Sequence, residues 1–470
     1  VKRLSDGVTF TQPYDKLIVS PGASAIVPDV PGLPAPNVFT VKTVPDADRV
    51  RAWIEEHNPR RAVVVGAGFI GLETAEALLH RGLDVTVVEL QPQVLPAFDP
   101  DVADFMARRV EEKGIHLELG DGLKSFVNDG RVVAVELASG RKLPADLVIL
   151  SIGVRPELTL AKAAGLALGP SGAIAVDDHL RTSDPDIYAA GDAVEVVQLV
   201  TGKPGRMPLA GPANKQGRVA GANAAGGELV FAGALGTAIV GCVELTAAKT
   251  GLSEREARQA GLAYTVTWTH PLDHAGYYPG AQTMHLKILV EQKSGRLLGA
   301  QAVGEAGVDK RIDVLATALH ARMTVFDLEE LDLAYAPQYS SAKDPVVMAA
   351  FAAANVLRGD VVTTTCSDLA TRVAHGEQVQ VVDVRSPAEF ATGHLPGAVN
   401  IPIDSLRERS DELDRSRSTV TYCKVGFRGY LGARILQQHG FERVENLTGG
   451  ILSCPSSRLG ERAARATISG

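Results

Sequence analysis

Apolar residues in this chain come in short runs punctuated by glycine and proline, and the period of the runs changes along its length. Residues 62–65 form a continuous apolar run, which predicts a strand buried on both faces. A glycine turn follows, then a helical pattern over 70–81, a strand over 84–89 and a helix over 101–113 that Gly114 ends. Further strands are predicted near 116–119, 132–137 and 147–152. Strands alternating with helices predict a parallel sheet over 59–152. Upstream, 1–42 carries a hairpin signal, a strand over 14–20 closed by Pro21-Gly22, and a proline-rich loop over 27–36, with a helix over 46–57 after it. Downstream, a strand ends on Ile187-Tyr188-Ala189-Ala190, and a helix is predicted over 214–225. Residues 234–356 are mixed, with strands near 263–270 and 285–291 and a helix over 309–321. A linker at 357–360 precedes a second α/β pattern over 360–455, with strands over 379–384 and 419–423.

Composition adds bounds to this pattern. The 470 residues, 45% hydrophobic and 22% charged, imply several domains with a large core. A formal charge of −8 gives the molecule no general attraction to nucleic acid or anionic membranes. No apolar run approaches the ~18 residues of a membrane span, and no signal peptide is seen. The four cysteines, Cys242, Cys366, Cys423 and Cys454, are far apart with no CxxC pair. Neither a disulfide framework nor a zinc or other metal site is expected, and the reducing cytoplasm is the expected compartment. Cys242, Cys366 and Cys454 are expected to be inert buried residues.

The first chemistry lies at the glycine turn. Gly66-Ala67-Gly68-Phe69-Ile70-Gly71 is GxGxxG between a strand and a helix. Gly66 makes the turn, Gly68 admits a pyrophosphate to the backbone, and Gly71 lets helix and sheet approach. The helix N-terminus offers unsatisfied N–H groups to phosphate. Glu89 ends the next strand, where a carboxylate can accept both ribose hydroxyls and repel a 2′-phosphate. NADH is therefore expected over NADPH. FAD uses the same fingerprint, so the cofactor depends on a second clue. Ile187-Tyr188-Ala189-Ala190-Gly191-Asp192 puts Asp192 at a strand end after a glycine.

That order of motifs resembles the pyridine nucleotide-disulfide oxidoreductases, most closely coenzyme A disulfide reductases and NADH-dependent polysulfide reductases fused to rhodanese. Tyr14–Ala23, Thr182–Asp192 and Pro208–Arg218 resemble the family's flavin-domain segments. The resemblance implies FAD near Gly22, Gly153, Gly191, Asp192 and Ala193, with the nicotinamide fingerprint inserted between two halves of the flavin domain. Ala334–Pro345 resembles the dimerisation-domain segment that reaches the other subunit's active site. It implies that Tyr335 lies near flavin and reactive sulfur and that Lys343, with Asn214, meets coenzyme A. His274–Gly280 supplies a second family tyrosine, read as Tyr277 rather than Tyr278. A phenol beside a thiolate can donate a hydrogen bond and serve as an acid.

Two family features are missing. The chain holds one GxGxxG, and no cysteine occurs before Cys242. The sequence enters the flavin domain at its second half, so a truncated N-terminus is expected. A polypeptide without the flavin's phosphate turn and the redox cysteine is expected to bind FAD poorly and to reduce no disulfide.

The C-terminal pattern is complete. Val381–Arg385, Glu389-Phe390, Gly393–Pro402 and Cys423-Lys424-Val425-Gly426-Phe427-Arg428 occur in rhodanese order. The loop from Cys423 to Arg428 is expected to curl its N–H groups toward the sulfur, with Arg428 adding charge, and to carry a sulfane sulfur on Cys423. Asp383 and Arg385 read as scaffold residues, and the segment after Gly450 receives no assignment.

The expected fold class is α/β: a two-dinucleotide-binding-domain flavoprotein, an α+β dimerisation domain and a C-terminal α/β rhodanese domain. Its expected segments are the second half of the FAD domain (1–42), an NAD(P) Rossmann domain (43–152), the FAD return (153–232), the dimerisation domain (233–357), rhodanese (360–455) and a tail (456–470). The expected enzyme is a homodimer using NADH or NADPH, FAD and coenzyme A to reduce coenzyme A disulfide, coenzyme A persulfide or polysulfide. Three alternatives stay open: an NADH oxidase, a scaffold active only in sulfur transfer at Cys423, and a redox-sensing module that binds NADH without turnover.

Overall fold

The computed structural model describes residues 1–455, so the tail assigned to 456–470 lies outside the described residues. The chain divides into two compact units, 1–28 with 152–236, and 29–151 with 237 onward.

In the first unit, strand Leu17–Val19 pairs in parallel with Ile187–Ala189, and Ala23–Ala25 pairs antiparallel with Val154–Pro156. The hairpin expected near the start is a single antiparallel bridge between Lys2 and Thr9. Helix Ala210–Ala224 buries Gln216, Val219, Ala220 and Asn223, a one-sided stripe at helical spacing. It begins four residues before the expected Asn214, and its Pro212 falls in the first turn, where a missing N–H costs no helical bond. Val219 and Ala220 pack with Leu180, Tyr188 and Ala190. Leu17 and Ile18 stay exposed although they are strand residues.

The second unit holds the expected parallel sheet, in the order Val38–Thr40, Leu147–Leu150, Arg61–Val65, Asp84–Glu89, His116–Leu119. Helix Phe69–His80 buries Gly71, Leu72, Ala75 and Leu78. Strands Leu123–Asn128, Val132–Leu137 and Lys142–Pro144 form an antiparallel sheet of which the sequence signalled only the middle strand. A five-stranded antiparallel sheet follows, ordered Ala238–Cys242, Leu245–Gly251, Leu297–Gly304, Met284–Glu291, Tyr264–Thr269. Helix Pro345–Leu357 contacts its Tyr264–Thr269 edge. The expected linker at 357–360 is a helix end: Gly359 is left-handed, and the Asp360 N–H returns to Asn355.

The last sheet is parallel, ordered Val362–Thr364, Val444–Leu447, Thr419–Tyr422, Gln380–Asp383, Val399–Asn400. One side carries Val382, Val384, Leu436 and Phe441, and the other packs Leu369, Val420, Tyr422 and Leu447. The cysteine expectation is corrected here. Cys366 and Cys454 are bonded, with Cα atoms 5.3 Å apart and a sequence separation of 88. The fold brings the first turn of helix Cys366–Ala374 beside the residue that follows the turn Gly450–Ser453, a proximity that sequence spacing could not show. Among the described residues no helix is long and apolar enough to cross a membrane.

One buried cluster ties the second unit together. Lys287, fully buried on strand Met284–Glu291, places its ammonium 3.0 Å from Asp99, 2.7 Å from Asp101 and 2.6 Å from Glu254. Burial opposes its charge, but the attraction of Asp101, Asp99 and Glu254 outweighs that and drives its pKa above the ordinary lysine value. Asp101 also accepts the Trp268 indole N–H at 3.1 Å, and the Trp268 backbone N–H donates to Thr448 at 2.9 Å. Lys287→Met would leave three carboxylates facing one another out of water. We expect a loss of about 3–5 kcal/mol, seen as a lower urea midpoint and melting temperature; an unchanged unfolding curve would contradict this account.

Candidate nucleotide and sulfur-transfer sites

The glycine turn after Arg61–Val65 is built as a phosphate cradle. Gly66 has φ +108° and donates its N–H to Val88 at 2.7 Å. A Cβ on Gly71 would lie 1.9 Å from the Gly66 carbonyl oxygen, so only glycine lets the helix sit this close. A Cβ on Gly68 would meet nothing within 4 Å. That open space over Gly68, at the start of helix Phe69–His80, fits a pyrophosphate against the first-turn N–H groups. Ala67 is buried, Phe69 packs edge-on against Phe98, and Ile70 is exposed. Glu89 accepts the Ala67 N–H on one carboxylate oxygen and the Gln91 N–H on the other, each at 2.9 Å. The same side chain therefore shapes the turn and keeps lone pairs for further donors.

In the first unit, Gly22, Gly153 and Gly191 all adopt left-handed φ values, at +73°, +103° and +84°. Asp192 lines a cleft of about 310 Å³ with Ala23, Val154, Pro156, Arg206 and Pro208. Ala193 behind it is buried, and its carbonyl accepts the Ile174 N–H. The Gly191 N–H donates to Gln216 Oε1 at 2.7 Å, which fixes the amide and leaves the buried Gln216 Nε2 without a partner. An aspartate, a left-handed glycine turn and an orphaned amide donor suit the hydroxyls and anionic oxygens of a flavin nucleotide. Asn214 is exposed on the same unit's helix, whereas Lys343 lies in the second unit.

The two tyrosines chosen from separate motifs meet. Tyr277 and Tyr335 are exposed, and their hydroxyls are 2.9 Å apart. The bond to Tyr277 raises the Tyr335 pKa. Lys343 is exposed and lines a cavity of about 740 Å³ with Trp268, Phe351, Val425, Phe427 and Tyr430.

Strand Thr419–Tyr422 delivers Cys423 to a closed loop. Cys423 is fully buried, and the Gly426 N–H donates to its Sγ at 3.2 Å. Gly426 has φ +99° and is the N-cap of helix Phe427–Gln438, so the helix start lies beside the sulfur. A Cβ on Gly426 would come within 3.1 Å of the Gly449 nitrogen. The turn Gly450–Ser453, which the sequence left unassigned, backs the loop: Ile451 N–H donates to the Cys423 carbonyl at 2.9 Å and Leu452 N–H to that of Lys424 at 3.1 Å. A Cβ on Gly450 would fall 2.3 Å from the Cys423 carbonyl oxygen.

Arg428 is paired as well as near the sulfur. Its guanidinium makes two bonds to Glu389, at 2.8 and 2.5 Å. The Arg428 bonds, helped by Ser386, pull the Glu389 carboxyl down to about 2. Cys423 is among the groups that favour the charged guanidinium, after Glu389. Glu389 stood in the motif with no role; only the fold shows that it orients Arg428. Asp383 and Arg385 form a buried ion pair at 2.6 Å, and Arg385 also donates to the Gly393 carbonyl. Cys242 sits away from this chemistry: burial, with Glu76 and Glu73, pushes its thiol up to about 12, and it bonds the Leu72 carbonyl.

Comparison with known proteins agrees with this layout. Residues 1–217 match the pyridine nucleotide-disulphide oxidoreductase model, 237–346 the dimerisation domain of the same family, and 365–453 the rhodanese-like domain. A protein of Methanocaldococcus jannaschii named NADH oxidase is 38% identical over 346 residues, 73% of this chain and 77% of that protein. The CoA-dependent NAD(P)H sulfur oxidoreductase of Pyrococcus furiosus is 37% identical over 352 residues, covering 74% and 79%. The crystal structure of reduced Bacillus anthracis CoADR-RHD superposes with a TM-score of 0.93 at 42% identity, covering 97% of this chain and 82% of that one. The chain belongs to the pyridine nucleotide-disulphide oxidoreductase family and carries a rhodanese-like domain at its C-terminal end.

Proposed function

We propose that this chain belongs to an NAD(P)H- and FAD-dependent enzyme that reduces coenzyme A disulfide, coenzyme A persulfide or polysulfide and couples this to sulfur transfer at Cys423. The observation that carries the reading is the joint presence of an open nucleotide cradle at Gly66–Gly71 and a closed sulfur loop at Cys423–Gly426 in one chain of this family. The CoA-dependent sulfur oxidoreductase among its relatives supports sulfur bonds as the substrate class. NADH fits the turn better than NADPH, because Glu89 would receive ribose hydroxyls and repel a 2′-phosphate. Gly22, Gly153, Gly191, Asp192 and Ala193 would hold FAD. Bound flavin supplies a two-electron carrier between nicotinamide and a sulfur bond.

What the chain's own residues do is most concrete at Cys423. Its thiolate attacks the outer sulfur of a donor such as thiosulfate; the donor's S–S bond breaks, sulfite leaves, and Cys423 holds a persulfide. A thiophilic acceptor such as cyanide then takes the outer sulfur, and the Cys423 thiolate is regenerated. The Gly426 N–H and the helix start stabilise negative charge on sulfur throughout, while Glu389 holds Arg428 in place. The Tyr277–Tyr335 pair would present a phenol to a reacting sulfur in a homodimer, with Lys343 and Asn214 contacting coenzyme A. Among the described residues of the first unit there is no cysteine.

The relative named NADH oxidase favours a second reading, in which oxygen accepts the electrons. NADH oxidation that proceeds anaerobically with polysulfide and fails with oxygen supports the first reading; the converse supports the second.

Two variants test the residue roles. Cys423→Ser should abolish thiosulfate:cyanide sulfurtransfer, with or without added flavin, while leaving the unfolding curve near that of the parent; retained thiocyanate formation would remove Cys423 from the reaction. Glu89→Ala should weaken NADH binding roughly ten- to a hundredfold and narrow its advantage over NADPH, as read by nucleotide fluorescence titration. Equal loss for both nucleotides would mean that Glu89 serves only the turn.

A further inference from the structure

The Cys366–Cys454 bond closes the sulfur-transfer domain nearly end to end, and it lies one residue beyond the turn that supports Cys423. A continuous set of contacts connects the two. Cys454 directly follows Gly450–Ser453, and its N–H donates to the Ile451 carbonyl at 3.2 Å. Ile451 and Leu452 in turn donate to the carbonyls of Cys423 and Lys424. Tyr422, the residue before the nucleophile, shares one core cluster with Cys366, Cys454, Leu447 and Ile451. The Ser453 hydroxyl fastens the same turn to the Thr448 and Gly450 carbonyls. The wall of the loop is therefore anchored on one side by backbone hydrogen bonds and on the other by a covalent link to helix Cys366–Ala374.

We propose that this disulfide is a redox-operated latch on the Cys423 loop: closed, it holds the turn Gly450–Ser453 against the loop; opened by a small dithiol, it frees the turn and lowers sulfur transfer. The inference rests on the sulfur-transfer reading above, because an enzyme handling polysulfide and thiols meets both an oxidant and a reductant of disulfides. Opening takes two exchanges. One thiolate of the dithiol attacks Cys454 Sγ, the bond to Cys366 breaks, and Cys366 leaves as a thiolate. The second thiol of the reagent then attacks its own sulfur in the mixed disulfide, releasing Cys454 and a cyclic disulfide. Two electrons pass to the protein, and two protons end on the cysteines. Closing by polysulfide reverses this: the two thiols lose two electrons and two protons, and one S–S bond of the polysulfide accepts the pair and splits. Both cysteines are buried, with 7% and 2% exposure, so exchange waits on local opening and the latch follows sustained rather than momentary redox change.

The test uses the full chain and the Cys366→Ser/Cys454→Ser double variant, each before and after treatment with dithiothreitol and its removal under nitrogen. Three quantities are read: thiols titrated in denaturant, the initial rate of Cys423 alkylation by iodoacetamide followed by mass spectrometry, and thiosulfate:cyanide turnover. Wild type should yield two thiols before reduction and four after. Its melting temperature should fall by roughly ten degrees, its Cys423 alkylation should quicken severalfold and its turnover should fall about fivefold. Polysulfide should restore the wild type, and the double variant should resemble reduced wild type and ignore both reagents. Four thiols in the untreated protein, or alkylation and turnover that reduction leaves unchanged, would overturn the latch. A chain with no turnover in either state but with the alkylation change intact would overturn the sulfur-transfer reading and leave the latch standing.

Discussion

The arrangement of the second unit depends on one buried ammonium. Lys287 is enclosed by Asp99, Asp101 and Glu254, which come from widely separated segments. Each group alone would be costly to bury, so burial requires that all of them arrive together. Asp99 and Asp101 stand at the start of helix Pro100–Glu112, behind the nucleotide sheet; Lys287 is mid-strand in the antiparallel sheet; Glu254 opens a helix of its own. The cluster works as a specification of how these elements meet more than as a source of net stability. Its reach extends further through Trp268, whose indole bonds Asp101 and whose backbone bonds Thr448. Thr448 precedes the Gly449-Gly450 pair that closes on the Cys423 loop, so a charge constraint in the antiparallel sheet is tied to the seat of Cys423.

The two strand–glycine–helix turns of this unit follow one plan with one difference. Each has a buried parallel strand, a left-handed glycine and a helix start whose first N–H groups have no helical partner. At Gly68 the space beyond the backbone is open, which suits a pyrophosphate that must arrive from outside. At Gly426 the space is filled by Gly449, and the N–H already points at a sulfur of the chain itself. Openness is what separates the two turns: one leaves room for an outside anion, and the other is closed on a sulfur of the chain. In both, a nearby carboxylate fixes a neighbouring group: Glu89 the Ala67 N–H, Glu389 the Arg428 guanidinium.

How much of this the sequence showed follows from how local each feature is. Parallel strands such as Arg61–Val65 and Leu147–Leu150 were legible because their positions are almost all buried and their apolar runs are continuous, whereas the short parallel strands Val362–Thr364, Val399–Asn400 and Val444–Leu447 went unread. Strands Leu245–Gly251 and Leu297–Gly304 were missed because their buried positions include Lys249, Thr250 and Gln301. Those polar groups find partners far away in sequence, Lys249 at the Ala97 carbonyl and Gln301 at Asp99, so no local pattern announces burial. The glycine fingerprint and the Cys423 loop were legible because each completes its geometry within a few residues. Tyr277 and Tyr335 lie 58 residues apart and were found only through family motifs; their mutual hydrogen bond is a tertiary fact. The Cys366–Cys454 bond was misread for the same reason, since two cysteines without local spacing look like two inert core residues.

Locality also ranks the two chemistries. A sulfur, a backbone donor to it and an oriented guanidinium all lie within residues 386–453. The Gly66–Gly71 turn belongs to one unit, and Gly191 and Asp192 belong to the other. Cys242 is poorly suited to thiolate chemistry: it is buried, its thiol is pushed up to about 12, and its sulfur faces the Leu72 carbonyl. At the turn Gly450–Ser453, a small displacement would withdraw the support of the Cys423 loop and touch no part of the nucleotide cradle.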